Sequence, residues 1–291
     1  MPALIDERER LVPVGGVRLA VREWPGPGRP LLLLHGLAST SHIWDLVAPR
    51  LARAFRVVAY DQRGHGRSSK PSWGYGYARV TADAVGVIRA LRLTRPVVVG
   101  HSWGASVALQ LAIRRPRSVP GVVLVDGGFL SLRDRMDWAT ARQVLAPPPL
   151  AGIPLEEFRA GLRHHVGQAL EVTSEVESVL LSLVRVDRAG RIRPRLTLAN
   201  HLRILRAMWE QDTPTLLRAV RVPTLVLGAR SRTPSPQEEP YIQAKAEAAR
   251  MVRAIGEPVR FEWIEGIHDV PLQRPEALAR RIARFAREAV R

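Results

Sequence analysis

The chain of 291 residues contains no cysteine. Disulfides, thiolate nucleophiles and cysteine-ligated metals are therefore excluded. It is poor in aromatic residues, at 5%, so an aromatic-and-basic platform of the kind that stacks nucleobases is not visible. Lysine is nearly missing: only Lys70 and Lys245 are lysines among the 44 basic residues. The arginines that supply the net charge of +17 are spread from Arg8 to Arg291 without a long basic block. Such charge reads as a solvated surface, with weak, salt-dependent attraction for anions and no specific nucleic-acid partner. No apolar run is long enough to span a bilayer, and the charged start MPALIDERERLVPV lacks the apolar stretch of a signal peptide. The expectation is a cytoplasmic protein with no membrane span.

Apolar residues make up 46% of the chain, enough for a sizeable core. LVPV, Gly15-Gly16 and VRLAVREW read as an antiparallel hairpin over Arg10 to Trp24. The run Leu31 to Leu34, RVVAY (Arg56 to Tyr60), VVVG (Val97 to Gly100) and GVVLVDGG (Gly121 to Gly128) read as buried strands. Helical pattern lies between them at about His42 to Ala54, Val80 to Leu91 and Ala105 to Arg115. This alternation predicts an α/β fold with a mostly parallel, doubly wound sheet and helices on both faces. From about Ser131 to Arg221 the pattern is mainly helical, with a small polar hairpin at Val184 to Arg195. Strands then resume at VPTLVLGAR and VRFEWIEG, and a helix from Pro275 to Val290 closes the chain. The reading is a core of residues 1–130 and 222–291, with a helical cap inserted at 131–221 over the strand ends.

Gly100-His101-Ser102-Trp103-Gly104 is a G-x-S-x-G between an expected strand and an expected helix. A serine on that sharp turn is lifted above the sheet, and the helix start turns free N–H groups toward a developing oxyanion. Ser102 is therefore the candidate nucleophile.

With HGLAST (His35 to Thr40), DQRGHGRS (Asp61 to Ser68), GHSWG and GIHDVPLQRPEAL (Gly266 to Leu278) in this order, the chain resembles the α/β-hydrolase superfamily over nearly its whole length. The resemblance implies backbone N–H donors at Leu37 and Trp103 for an oxyanion. It implies a structural role for Asp61 and His65, and a general base at His268, which follows a late strand on a Gly-containing loop. The elbow serine argues against the aspartate-nucleophile branches, the haloalkane dehalogenases and epoxide hydrolases. HGLAST in place of a glycine-rich HGGPG argues against a proline iminopeptidase.

The acid departs from the common pattern. Most relatives carry an aspartate three residues beyond the glycine of VPTLVLG, where this chain has Ser231. Asp126, at the end of GVVLVD beside the nucleophile's strand, is the favoured substitute. Glu238 or Glu239 on the longer loop, and Asp269 beside the base, are the alternatives. The expected activity is hydrolysis of a small or medium apolar carboxylic ester through an acyl-enzyme, without metal or organic cofactor. A lactone or carbon–carbon bond hydrolase with the same residues, or a weakly catalytic small-ligand receptor, remains open. His42, Trp138, Phe158, Met208 and Trp209 are candidate pocket residues, and each could equally be packing.

Overall fold

The computed structural model describes residues 7–232 and 239–289. Among the described residues ten strands form: β1 (Arg8–Val14), β2 (Val17–Trp24), β3 (Pro30–Leu34), β4 (Arg56–Tyr60), β5 (Val97–His101), β6 (Val122–Val125), β7 (Val184–Val186), β8 (Ile192–Pro194), β9 (Thr224–Arg230) and β10 (Val259–Glu265). Eight of them make one sheet in the order β1-β2-β4-β3-β5-β6-β9-β10. The β1/β2 hairpin turns at Gly15-Gly16 and adds to the edge antiparallel, while β4, β3, β5, β6, β9 and β10 pair in parallel. The expected fold class is thus the observed one.

The central strands are apolar on both faces because both faces are covered. Leu31, Leu32, Leu33 and Leu34 of β3 are all fully buried, alternating between two core clusters. One face carries α2 (Tyr77–Ala90) and α3 (Trp103–Arg114), together with helices described below. The other carries α1 (Ala48–Leu51), packed on the C-terminal helix. The expected long helix from His42 to Ala54 is broken into a short 3₁₀ turn at Ser41–Trp44 and the single turn of α1, which begins beside Pro49. Trp44 and Val47 still bury completely, so the apolar spacing was a packing signal without a continuous helix behind it.

Between β6 and β9 lie α4 (Trp138–Val144), α5 (Leu155–Gly161), α6 (Ser174–Leu181), the β7/β8 hairpin, α7 (Leu198–Glu210) and α8 (Thr213–Ala219). This inserted segment has a small core of its own around Phe158, Val184 and Ile192. Ile204 of α7, and Leu217 and Val220 at α8, join the main core instead. After β9 come α9 (Glu239–Ile255), β10, α10 (Val270–Gln273) and α11 (Pro275–Glu288), whose Leu278, Ile282 and Phe285 bury against the second face.

Two buried ionic sites brace the turns below the strand ends. Arg63, 1% exposed, forks onto Asp83 with Nε–Oδ2 at 2.5 Å and Nη2–Oδ1 at 2.7 Å. Asp61 accepts from the N–H and hydroxyl of Ser41 and from the N–H of Arg67, each at 2.8 Å. Burial opposes its charge, but the neighbouring His35 and then those three donors hold its carboxyl below the usual range.

Candidate active site

Parallel strands end together, so residues placed just past β3, β5 and β6 converge on one edge of the sheet. Ser102 follows β5 directly and takes φ 54°, ψ −118°. An L-residue rarely occupies that region, and here the packing enforces it. A Cβ on Gly100 would sit 2.1 Å from the Gly104 carbonyl oxygen, and one on Gly104 would sit 2.4 Å from that of Leu34. Only glycine on both sides lets β5 turn straight into α3 against β3. Ser102 makes no capping bond to its own helix, which leaves the hydroxyl free for other work.

Asp126 follows β6 and also has a positive φ, 44°. Its carboxylate is fully buried. Oδ1 accepts the Ala229 N–H of β9 at 2.7 Å, and Oδ2 accepts His268 Nδ1–H at 2.7 Å. The same Oδ2 receives Lys245 Nζ of α9 at 2.7 Å, and that ammonium also donates to the Ala229 carbonyl at 3.0 Å. Burial alone would raise the acid's pKa, but His268 and Lys245 hold it below the ordinary value. Partial loss of solvent opposes charging of the His268 ring, whose side chain stays 43% exposed. The hydrogen bond to Asp126 and the charge behind it outweigh this and raise its pKa above that of a free histidine.

His101 packs on His268 with ring centroids 4.9 Å apart, and its Nε2–H donates to the His268 carbonyl at 2.9 Å. Burial first, then the neighbouring ring, push its pKa down to about 4, so it braces the loop as a neutral group. His35 is neutral for a plainer reason. Its Nδ1–H donates to the Gly36 carbonyl at 2.8 Å while Nε2 accepts from the Gln62 N–H at 2.9 Å. His65 lies between His35 and the indole of Trp103, fully buried, its pKa pushed to about 3 mainly by burial. The Trp103 side chain belongs to this packed layer and is fully buried.

Ser102, His268 and His101 line one cavity of about 210 Å³ with Gly36, Leu37 and Ala38. Among the described residues no hydrogen bond joins Ser102 Oγ to His268, and none engages the N–H of Leu37 or of Trp103. Ile43 from the 3₁₀ turn, Val179 and Leu180 of α6, Leu183, and Leu272 of α10 form its apolar wall, with Ser39 and Asp269 as the polar remainder. Thr40 Oγ1 and Ser182 Oγ, 2.6 Å apart, tie the HGLAST loop to the end of α6.

The five pocket candidates from the sequence do not line this cavity. His42 pairs with Asp45 at 2.9 Å. Trp138 and Trp209 pack edge to face with centroids 6.1 Å apart, share the guanidinium of Arg206, and Trp209 Nε1–H donates to Met136. Phe158 lies in the insertion's own core, and Met208 packs against the main core. Sequence reading missed α6, whose wall-forming residues look like ordinary amphipathic spacing, and it missed Lys245. Of the alternative acids, Glu239 is the first residue of α9 and meets Gln243 at 3.5 Å, while Glu238 lies outside the described residues. Asp269 lines the cavity but is not bonded to the His268 ring, whose Nδ1 is taken by Asp126. Among the described residues no group of acidic and histidine side chains could hold a metal ion, and no helix is long and apolar enough to cross a membrane.

Residues 29–163 match the family model of the alpha/beta hydrolase fold. Over 117 residues the chain is 39% identical to 2-(acetamidomethylene)succinate hydrolase of Mesorhizobium japonicum, a segment covering 40% of this chain and 42% of that protein. Over 103 residues it is 46% identical to epoxide hydrolase A of Mycobacterium tuberculosis, covering 34% of this chain and 32% of that protein. The chain thus spans less than half the length of these curated relatives. In three dimensions the likeness runs end to end. The crystal structure of E-2-(acetamidomethylene)succinate hydrolase superposes with a TM-score of 0.78 at 24% identity, over 96% of this chain and 99% of that one. Matched over residues 29–163 by the family model and over nearly its whole length by a solved structure, the chain has the α/β-hydrolase fold.

Proposed function

We propose that the protein is a serine hydrolase that cleaves small carboxylic esters with short apolar acyl groups. The observation that carries this is the strained Ser102, set on the wall of a small cavity beside a histidine whose Nδ1–H is held by a buried carboxylate. In the proposed reaction His268 removes the Ser102 proton as Oγ attacks the carbonyl carbon. Asp126 fixes the ring with Nδ1 protonated, so that Nε2 is the basic nitrogen, and it stabilises the imidazolium that forms. The N–H groups of Leu37 and Trp103 stabilise the oxyanion, and their lack of other partners leaves them available. The imidazolium protonates the departing alcohol. Water, deprotonated by the same ring, then releases the acid and regenerates Ser102.

The cavity is smaller than the ~300–1,000 Å³ of pockets that take drug-sized ligands. Its apolar walls favour a short acyl chain over a charged one. The inserted segment at 131–221 acts as a cap in this reading, because α6 closes the cavity opposite the sheet.

The test is a p-nitrophenyl ester series from acetate to decanoate, alongside labelling of Ser102 by a fluorophosphonate. Hydrolysis should peak at short chains and disappear with labelling in Ser102→Ala. Labelling without ester turnover would redirect the search to lactones and to carbon–carbon bonds next to a carbonyl. Absence of both would remove the enzymatic reading and favour a small-ligand receptor.

A further inference from the structure

Both lysines of this arginine-dominated chain use the ammonium as a compact donor to backbone. Lys70 Nζ donates to the carbonyls of Gly66 at 2.7 Å and Ser68 at 3.0 Å. Lys245 does more. It stands on α9 at 3% exposure, and its three protons have three destinations: Asp126 Oδ2, the Ala229 carbonyl and the face of Tyr241, whose centroid is 4.4 Å from Nζ. An arginine fork would bring five N–H donors to a space offering these acceptors, and unmatched buried donors are costly. The oxygen it binds is the one that orients His268.

We propose that Lys245 is a positioning residue for the reaction proposed above: it anchors Asp126 Oδ2 beside His268 and places a fixed positive charge next to the His268–Asp126 pair, making the imidazolium easier to discharge. The inference rests on the reading of Ser102, His268 and Asp126 as the reacting group.

The charges around the ring come from every packed element. Asp126 at the end of β6 and Asp269 in the ring's own loop favour the imidazolium, and Lys245 of α9 opposes it. His101 at the end of β5 is neutral, and Tyr241 of α9, 40% exposed, keeps its proton, its pKa raised by partial desolvation and by Asp126. With two carboxylates nearby, His268 without Lys245 would hold its proton to higher pH and be a base over a narrower range. Lys245 shares the key oxygen, which weakens the hold of Asp126 on the imidazolium while keeping the carboxylate in place.

The experiment uses the full chain with Lys245→Met, and Lys70→Met as control. The acid limb of kcat/KM for p-nitrophenyl acetate should move up by about one pH unit in Lys245→Met, for a charge removed at ion-pair distance and partly screened. Lys70→Met should leave it in place. A limb that stays put with lower kcat and lower Tm would show Lys245 to be structural only and overturn the proposal. A second readout needs neither turnover nor a folded variant at position 245. In the wild type the lysine ammonium ¹⁵N spectrum holds at most two side-chain signals, assigned through Lys70→Met. The Lys245 signal should shift along the His268 titration and lose that shift in His268→Gln, and an insensitive signal would overturn the proposal. Failure of the underlying reading looks different: the wild type would show no Ser102-dependent fluorophosphonate labelling at any pH.

Discussion

Replacing Ser102 by glycine should destroy activity and stabilise the protein. The backbone at Ser102 lies at φ 54°, ψ −118°, and residues held in such sparsely populated regions cost about 1–3 kcal/mol. Glycine adopts that conformation freely but loses about 0.5–1 kcal/mol through the greater freedom of its unfolded chain. The fair reference is Ser102→Ala, which also lacks the hydroxyl but keeps Cβ and the strain. No other loss intervenes, because Ser102 makes no capping bond and its side chain borders a cavity. The net expectation is that Ser102→Gly exceeds Ser102→Ala by about 0.5–2 kcal/mol. At about 2 °C per kcal/mol for a chain of this size, Tm should rise by roughly 1–4 °C. Urea unfolding of both variants at matched pH measures the difference, and equal m-values would show that the unfolded states are comparable. A Ser102→Gly protein no more stable than Ser102→Ala would refute the claim that this bend stores strain, and with it the account of why glycines flank it.

Asp126→Asn should keep the fold while lowering turnover of a short ester by about 10³–10⁴-fold, because an amide can accept Nδ1–H but cannot stabilise the imidazolium as a carboxylate does; near-wild-type rates would move the acid elsewhere. Because the pKa of His268 is raised, the neutral base forms only above the ordinary histidine value, so kcat/KM should climb as pH rises through a midpoint above 6.5; a midpoint below that value in the wild type would contradict the Asp126 contact. Asp83→Ala should cost about 3–5 kcal/mol by stranding the buried Arg63 guanidinium, whereas Arg63→Met with Asp83→Leu should be closer to wild type in urea unfolding.

What could be read in the sequence was whatever the backbone dictates. The strands announced themselves as unbroken β-branched or leucine runs because both faces of a parallel sheet are covered. Ser102 and Asp126 could be placed because each follows a strand directly, β5 and β6, and His268 because its loop after β10 resembles the family's. The cavity wall was opaque for the opposite reason. Val179, Leu180 and Trp209 all lie on amphipathic helices of the insertion, and which apolar stripe faces the sheet depends on how those helices stack. The tryptophans looked like pocket residues because of their size, yet Arg206 and the Met136 carbonyl satisfy Trp209 in place. Lys245 left one signal that was available and unused, its rarity among so many arginines.

In the proposed reaction the acid is Asp126, a position that the strand order allows. β6 lies between β5 and β9, so the ends of β6 and β9 flank the same spot beneath the His268 loop. A carboxylate hung from either end can reach the ring. From β9 it would approach along its own loop, where this chain has Ser231. From β6 it must cross to β9, and the observed bonds make that crossing: Asp126 Oδ1 on the Ala229 N–H, and Lys245 joining Oδ2 to the Ala229 carbonyl. Both polar groups of one β9 residue are thereby engaged at the strand end, and the carboxylate is fixed from two sides although its own backbone is in an unfavourable conformation. An acid on β6 is held, in this reading, by a donor on β9 and a counter-charge behind it. In this reading Asp126 and Lys245 are a coupled pair. Ser231→Asp in the Asp126→Asn background should recover activity only in part, since Lys245 would still be aimed at position 126, where the carboxylate charge is gone.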